Sequence, residues 1–161
     1  MNYYKATLSI FVLLAVSRFI PHPPNFTSLI ALSFYVPAFL GIRFLPVVII
    51  CFGLTDFIIG FHGTIFFTWG SVLLIGLLSQ FFKKNLIVRI SGALIGAFVF
   101  FIITNFGVWT SGFYGYSISG LVACYVLALP FFSFNLISTF IFSGLIEITY
   151  KIFNQKINYF K

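Results

Sequence analysis

Eight residues of this chain have types suited to holding a polar small molecule: Arg18, His22, Asn25, Asp56, His62, Asn105, Trp109 and Tyr114. They offer a cation, an acid, imidazoles, amides, an indole and a phenol. That mixture serves recognition by hydrogen bonding and stacking rather than covalent chemistry. A flat, polar-edged molecule stacked on Trp109 and oriented by Asn105 and Asp56 is the expected ligand. His22 and His62 could ligate a metal ion, but only Asp56 adds a charged oxygen, so a bare ion suits the set poorly. The sequence has no His-Glu-x-x-His motif, no paired carboxylates and no nucleophile–base arrangement, so neither enzyme activity nor a cofactor is expected. It also lacks a Walker-type phosphate loop, which excludes ATP hydrolysis by that route.

Three of the eight share one stretch, Arg18-Phe19-Ile20-Pro21-His22-Pro23-Pro24-Asn25-Phe26-Thr27. No helix runs through these prolines, since each lacks a backbone donor and fixes its own φ, and each restrains the residue before it. The stretch is therefore a stiff link between two apolar helices. As a bare interhelical turn it needs neither His22 nor Asn25; as a wall of a binding site it uses both.

The elements that must position these groups are membrane helices. Of the 161 residues, 61% are hydrophobic, 22% aromatic and only 7% charged, with a mean hydropathy of +1.14. Soluble domains carry about 25% charged residues. The net charge of +7 does not indicate nucleic acid, because the basic residues flank apolar runs and form no patch. Cys51 and Cys124 fit no disulfide or metal spacing. The first segment resembles a signal peptide in its lysine and apolar run, but it lacks a small-x-small cleavage site and reads as a retained helix.

Apolar runs predict six spans, over about 4–20, 27–42, 44–61, 64–82, 86–110 and 131–153, in a single all-α transmembrane domain over 1–161. Pro37 is expected to kink or tilt the short second span. The segment 118–129 is apolar but too short to cross, and Pro130 suits the first turn of the last helix. With six spans, Lys5, Arg43, Lys83, Lys84, Arg89, Lys151, Lys156 and Lys161 fall on the side of the termini and Arg18 alone on the other. By the positive-inside rule both termini are cytoplasmic. The proline link, the turn at His62 and the link from Trp109 to Tyr116 then share the outer face.

Asp56 and Glu147 are the chain's only acids. Asp56 lies about 9 Å inside the outer end of its helix at 1.5 Å per residue, and an intramembrane carboxylate marks function or a buried pair. Its expected partner is Arg18. Asn105 and Trp109 share a helix face, with Thr104 adjacent. Gly92 and Gly96 are spaced for close helix packing. Glu147, near the inner end of the last helix beside Tyr150 and Lys151, reads as solvated or partner-facing. The inner half then holds no buried acid, and nothing there suggests an ion path.

The string Ser17 to Thr27 resembles the signature of a family of small, functionally uncharacterised bacterial membrane proteins, whose pattern runs Arg-hydrophobic-hydrophobic-Pro-His-Pro-Pro-Asn-Phe-Thr. Three further pieces match in order: Thr55-Asp56 through Gly60-Phe61-His62, Thr104 through Trp109, and Gly120-Leu121 through Cys124-Tyr125 and Leu129-Pro130-Phe131-Phe132. In helix count, size and the Pro-Phe-Phe start of its last helix, the family is similar to the substrate-binding S components of energy-coupling-factor (ECF) transporters. That resemblance implies capture of a vitamin or metal from outside, with a transmembrane coupling subunit and two ATPases as partners. The first helix departs from it, because Ala6 is followed at four-residue spacing by Ile10 and Ala15 by Phe19, where S components often carry small residues for docking.

The sequence thus points to a six-helix, S-component-like membrane protein that takes up a small vitamin-like micronutrient, with the lipid bilayer as its other partner. The competing expectations are a structural or assembly protein whose polar cluster only braces the helices, and a small homo-oligomeric channel. A cavity open to the outside among Arg18, His22, Asp56, His62, Asn105 and Trp109 favours capture; a close-packed cluster with no void favours bracing.

Overall fold

The computed structural model describes residues 3–159, with side chains for residue 4 and residues 7–152. The expectations resting on the side chains of Lys5, Ala6, Lys156 and Lys161 fall outside these. The described chain is all helical: α1 (Tyr3–Phe19), α2 (Leu29–Leu40), α3 (Leu45–Ile59), α4 (Ile65–Leu78), α5 (Leu86–Thr110), α6 (Ile118–Leu127) and α7 (Leu129–Tyr159), with 3-10 turns at Ile42–Phe44 and Ser79–Phe81. Among the described residues there is no strand.

Three stretches are long and apolar enough to cross a membrane: Ile42–Ile59, Leu86–Thr110 and Leu129–Ile152. The apolar parts of α1, α2, α4 and α6 are shorter. Apolar composition, internal backbone pairing and a surface studded with exposed Phe, Ile and Leu are those of a helical membrane protein. The last helix continues to Tyr159, beyond the expected end near residue 153. Hydropathy falls there, but no Gly or Pro occurs from residue 145 onward to break the helix.

The helix at the centre is α2. Every residue from Leu29 to Pro37 is buried, and α2 touches α1, α3, α4, α5 and α7. Its apolar character all round suits that position. Ser33, unable to reach water, donates to the Leu29 carbonyl at 2.6 Å. Glycines of α5 let the helices close: a Cβ on Gly92 would lie 2.7 Å from Phe34 of α2, and one on Gly96 3.1 Å from Ile75 of α4. These glycines mediate packing, as their spacing suggested.

Candidate functional site

The proline link is clamped at its ends. Ser17 at the end of α1 and Ser28 before α2 share a hydroxyl hydrogen bond of 2.7 Å, and the Ser28 amide donates to Ser17 Oγ at 3.1 Å. Between them, Asn25 sits at φ +63°, the only positive φ at a non-glycine among the described residues. Asn tolerates that conformation better than most residues because its short side chain pairs locally. His22 Nδ1 donates to the Pro23 carbonyl at 2.7 Å, which fixes the tautomer and leaves Nε2 free.

This link, the turn around His62 and the link after α5 meet at one end of the bundle, here called the linker end. They enclose a cavity of about 540 Å³. Its walls include Arg18, His22, Asn25, Thr27, His62, Thr68, Thr104, Asn105, Tyr114, Cys124 and Asn135, with Phe52, Phe100, Phe101, Phe131 and Phe132 as apolar surface. Asn25 and His62 at the rim are exposed, so the cavity reaches the surface. Asn105 donates through Nδ2 to the Phe101 carbonyl at 2.7 Å, leaving its Oδ1 available. His62 Nδ1 lies 3.0 Å from Thr64 Oγ1. Among the described residues no three His, Cys, Asp or Glu side chains converge as a metal site would require.

Six of the eight residues chosen from sequence line this cavity: Arg18, His22, Asn25, His62, Asn105 and Tyr114. Asp56 and Trp109 do not. Asp56 is 1% exposed and both its oxygens are engaged. Arg18 Nη2 pairs with Oδ1 at 2.6 Å, and Trp69 Nε1 donates to Oδ2 at 2.8 Å. Arg18 also donates to Thr55 Oγ1 and stacks over Phe52, 4.6 Å from its centroid. The expected pair therefore exists, but it forms a closed knot behind the cavity wall, with the guanidinium between. Trp109 packs instead with Phe106 and Tyr116, at centroid separations of 5.6 and 6.4 Å. Four residues advance a helix by about 40° past a full turn, enough to carry Trp109 off the face that Thr104, Asn105 and Val108 present.

Sequence reasoning missed Trp69, Thr68 and Asn135. Asn135 carried a signal, being an amide inside an apolar helix five residues after Pro130. Trp69 carried a weaker one, as an indole donor deep in an apolar helix needs an acceptor. Gly53 makes its seat, since a Cβ there would lie 3.1 Å from the indole ring.

The reading of Glu147 needs correction. Its carboxylate is 5% exposed and held by Arg89 through Nε to Oε1 at 2.6 Å and Nη2 to Oε2 at 2.7 Å. Arg89 also lies over Phe39, 5.0 Å from the ring centroid, and Phe39 stacks on Tyr150 at 4.2 Å. So the end of the bundle opposite the linkers does bury an acid. Arg89, assigned to the charge bias alone, is its partner, 58 residues away in sequence.

The model of a family described as a family of unknown function (DUF6580) matches residues 2–160. The chain belongs to that family. No curated protein matches it, and neither does any protein of solved structure.

Proposed function

We propose that this chain is a substrate-capture protein of a bacterial cytoplasmic membrane, crossing it six times with both termini inside and the linker end outside. The observation that carries the reading is the cavity: residues from three separate links and from all seven helices line about 540 Å³. That size lies within the roughly 300–1,000 Å³ range of small-molecule sites. Asp56 is paired with Arg18 behind the wall, so among the described residues Arg18 is the only fixed charge lining the cavity and no acid lines it. With Asn25, Asn105 and Asn135 as amides and phenylalanines as flanks, the site suits a neutral or anionic flat solute with polar edges, a vitamin-like molecule. Arg18 and the amides orient it and the phenylalanine rings supply stacking area, a role assigned from the sequence to Trp109. The resemblance to ECF S components supports the same reading and would add a coupling subunit and ATPases as partners.

Bracing describes a different part of the same end. The knot of Arg18, Asp56, Thr55 and Trp69 is close-packed and ties α1 to α3 and α4. It leaves the cavity in front of it free for a ligand.

Thiol accessibility in intact cells tests the proposal. In a chain with Cys51→Ala and Cys124→Ser, a membrane-impermeant reagent should modify Asn105→Cys from outside and Asn85→Cys only after permeabilisation. Modification of Asn105→Cys solely after permeabilisation would show that the cavity does not face outward.

A further inference from the structure

The buried face of α7 carries polar residues at strict four-residue intervals: Asn135, Thr139, Ser143 and Glu147. All four are buried, Thr139 and Ser143 completely. Residues at this spacing form one ridge along a helix, and here the ridge faces inward among α2 and α5. Its upper end, Asn135, is on the cavity wall. Its lower end, Glu147, is the buried acid at the opposite end of the bundle.

Between these ends, Thr139 Oγ1 has no hydrogen-bond partner, and Ser143 Oγ and Tyr35 OH of the central helix meet only each other and Glu147, outside ordinary hydrogen-bond geometry. The Tyr35 hydroxyl faces Ser143 and Glu147. Other serines and threonines within the helices, such as Ser33, Thr55, Ser71, Ser79 and Ser138, satisfy themselves on a carbonyl of their own helix. Thr139, Ser143 and Tyr35 fall together on one line, whereas Trp109, whose buried Nε1 is also without a partner, lies at the linker end. Buried hydroxyls left without protein partners take up internal water. Successive rungs are about 6 Å apart along the axis at 1.5 Å per residue, a gap that one water spans with two hydrogen bonds of about 2.8 Å.

We propose that this column is a proton path joining the cavity to Glu147. A proton enters from water at Asn135. Each hydroxyl or water accepts one proton on a lone pair and releases its own to the next, so no group along the line is changed overall. The Glu147 carboxylate accepts the last proton and passes it to the solvent at the Arg89 end. Arg89 from α5, Tyr35 from α2 and Tyr150 from the next turn of α7 are the charged and titratable groups about this terminus. Such relays are a recognised use of intramembrane acids. The path would let a captured solute move with protons, without an ATPase. It does not require that the cavity bind the proposed ligand.

The test is proton flux into liposomes containing the purified full chain, with a trapped pH-sensitive dye and a potassium diffusion potential set by valinomycin. The expected result is a flux several-fold above protein-free liposomes. Thr139→Val, which keeps the shape and removes the hydroxyl, should bring it down to near the protein-free level, and Ser143→Ala likewise. Melting temperature and monodispersity confirm that each variant is folded. Flux equal to that of protein-free liposomes, or unchanged in both variants, overturns the proposal. Because no ligand is added, failure here leaves the capture reading standing, and an inward-facing Asn105 would leave this one standing.

Discussion

Trp69 and Arg18 grip the same buried carboxylate from opposite oxygens: the indole N–H reaches Asp56 Oδ2 at 2.8 Å and the guanidinium reaches Oδ1 at 2.6 Å. A lone acid in an apolar helix becomes tolerable only with both. Asp56→Asn strands Arg18 beside Thr55 and Phe52, so it should lower stability by about 3–5 kcal/mol. Arg18→Gln should do the same, and the double substitution should recover part of the loss. Trp69→Phe removes one hydrogen bond to a charged group and should cost about 1.5–3 kcal/mol. Thermal unfolding of the detergent-purified variants measures all four, and additive losses for Arg18 and Asp56 would show that the pair contributes no coupling.

The Arg89–Glu147 pair forms a second, independent knot at the other end of the bundle. Glu147→Gln leaves the guanidinium facing Phe39 and an amide that cannot replace a bidentate carboxylate. A loss of about 3–5 kcal/mol is expected. Combined with Asp56→Asn, the losses should add within about 0.5 kcal/mol, as they do for distant sites without shared partners. A larger deviation would mean that strain passes between the two ends through α2.

Gly120 controls how α6 meets the link above the cavity. A Cβ there would come within 2.2 Å of the Tyr114 carbonyl oxygen, and backbone cannot retreat as a side chain can. Gly120→Ala should destabilise by about 1–3 kcal/mol, the usual overpacking cost, and shift Tyr114 at the cavity wall. Gly144, with nothing within 4 Å of its would-be Cβ, is the control. Gly144→Ala should be neutral or gain up to about 1 kcal/mol from helix propensity. Equal effects at both positions would contradict the packing described for α6.

The helices were legible because prolines, glycines and charged pairs punctuate the apolar runs, and hydropathy reads such punctuation directly. The convergence of the three links was legible from the alternation of apolar helices. What stayed hidden was rotation about each axis. In a chain this apolar, lipid-facing and core-facing positions carry the same residue types, so periodicity reveals no buried face. That is why α2 could not be recognised as the central helix and why Trp109 was placed on the cavity. It is also why Trp69 and Arg89 went unnoticed as partners of the acids. Glu147 was misjudged because its neighbours in sequence, Tyr150 and Lys151, suggest an interface, whereas its neighbour in space comes from α5.

Native mass spectrometry of gently purified protein tests whether the linker-end cavity captures a polar solute. Asn105 and Asn135 line the wall from α5 and α7 without taking part in either charged knot, so Asn105→Ala and Asn135→Ala should leave the fold intact. A bound small molecule is expected on the wild-type chain, depleted at least fivefold by each substitution, about 1 kcal/mol for one lost hydrogen bond. A wild-type chain that carries no adduct beyond lipid, or one whose adduct survives both substitutions undiminished, would contradict capture by this cavity.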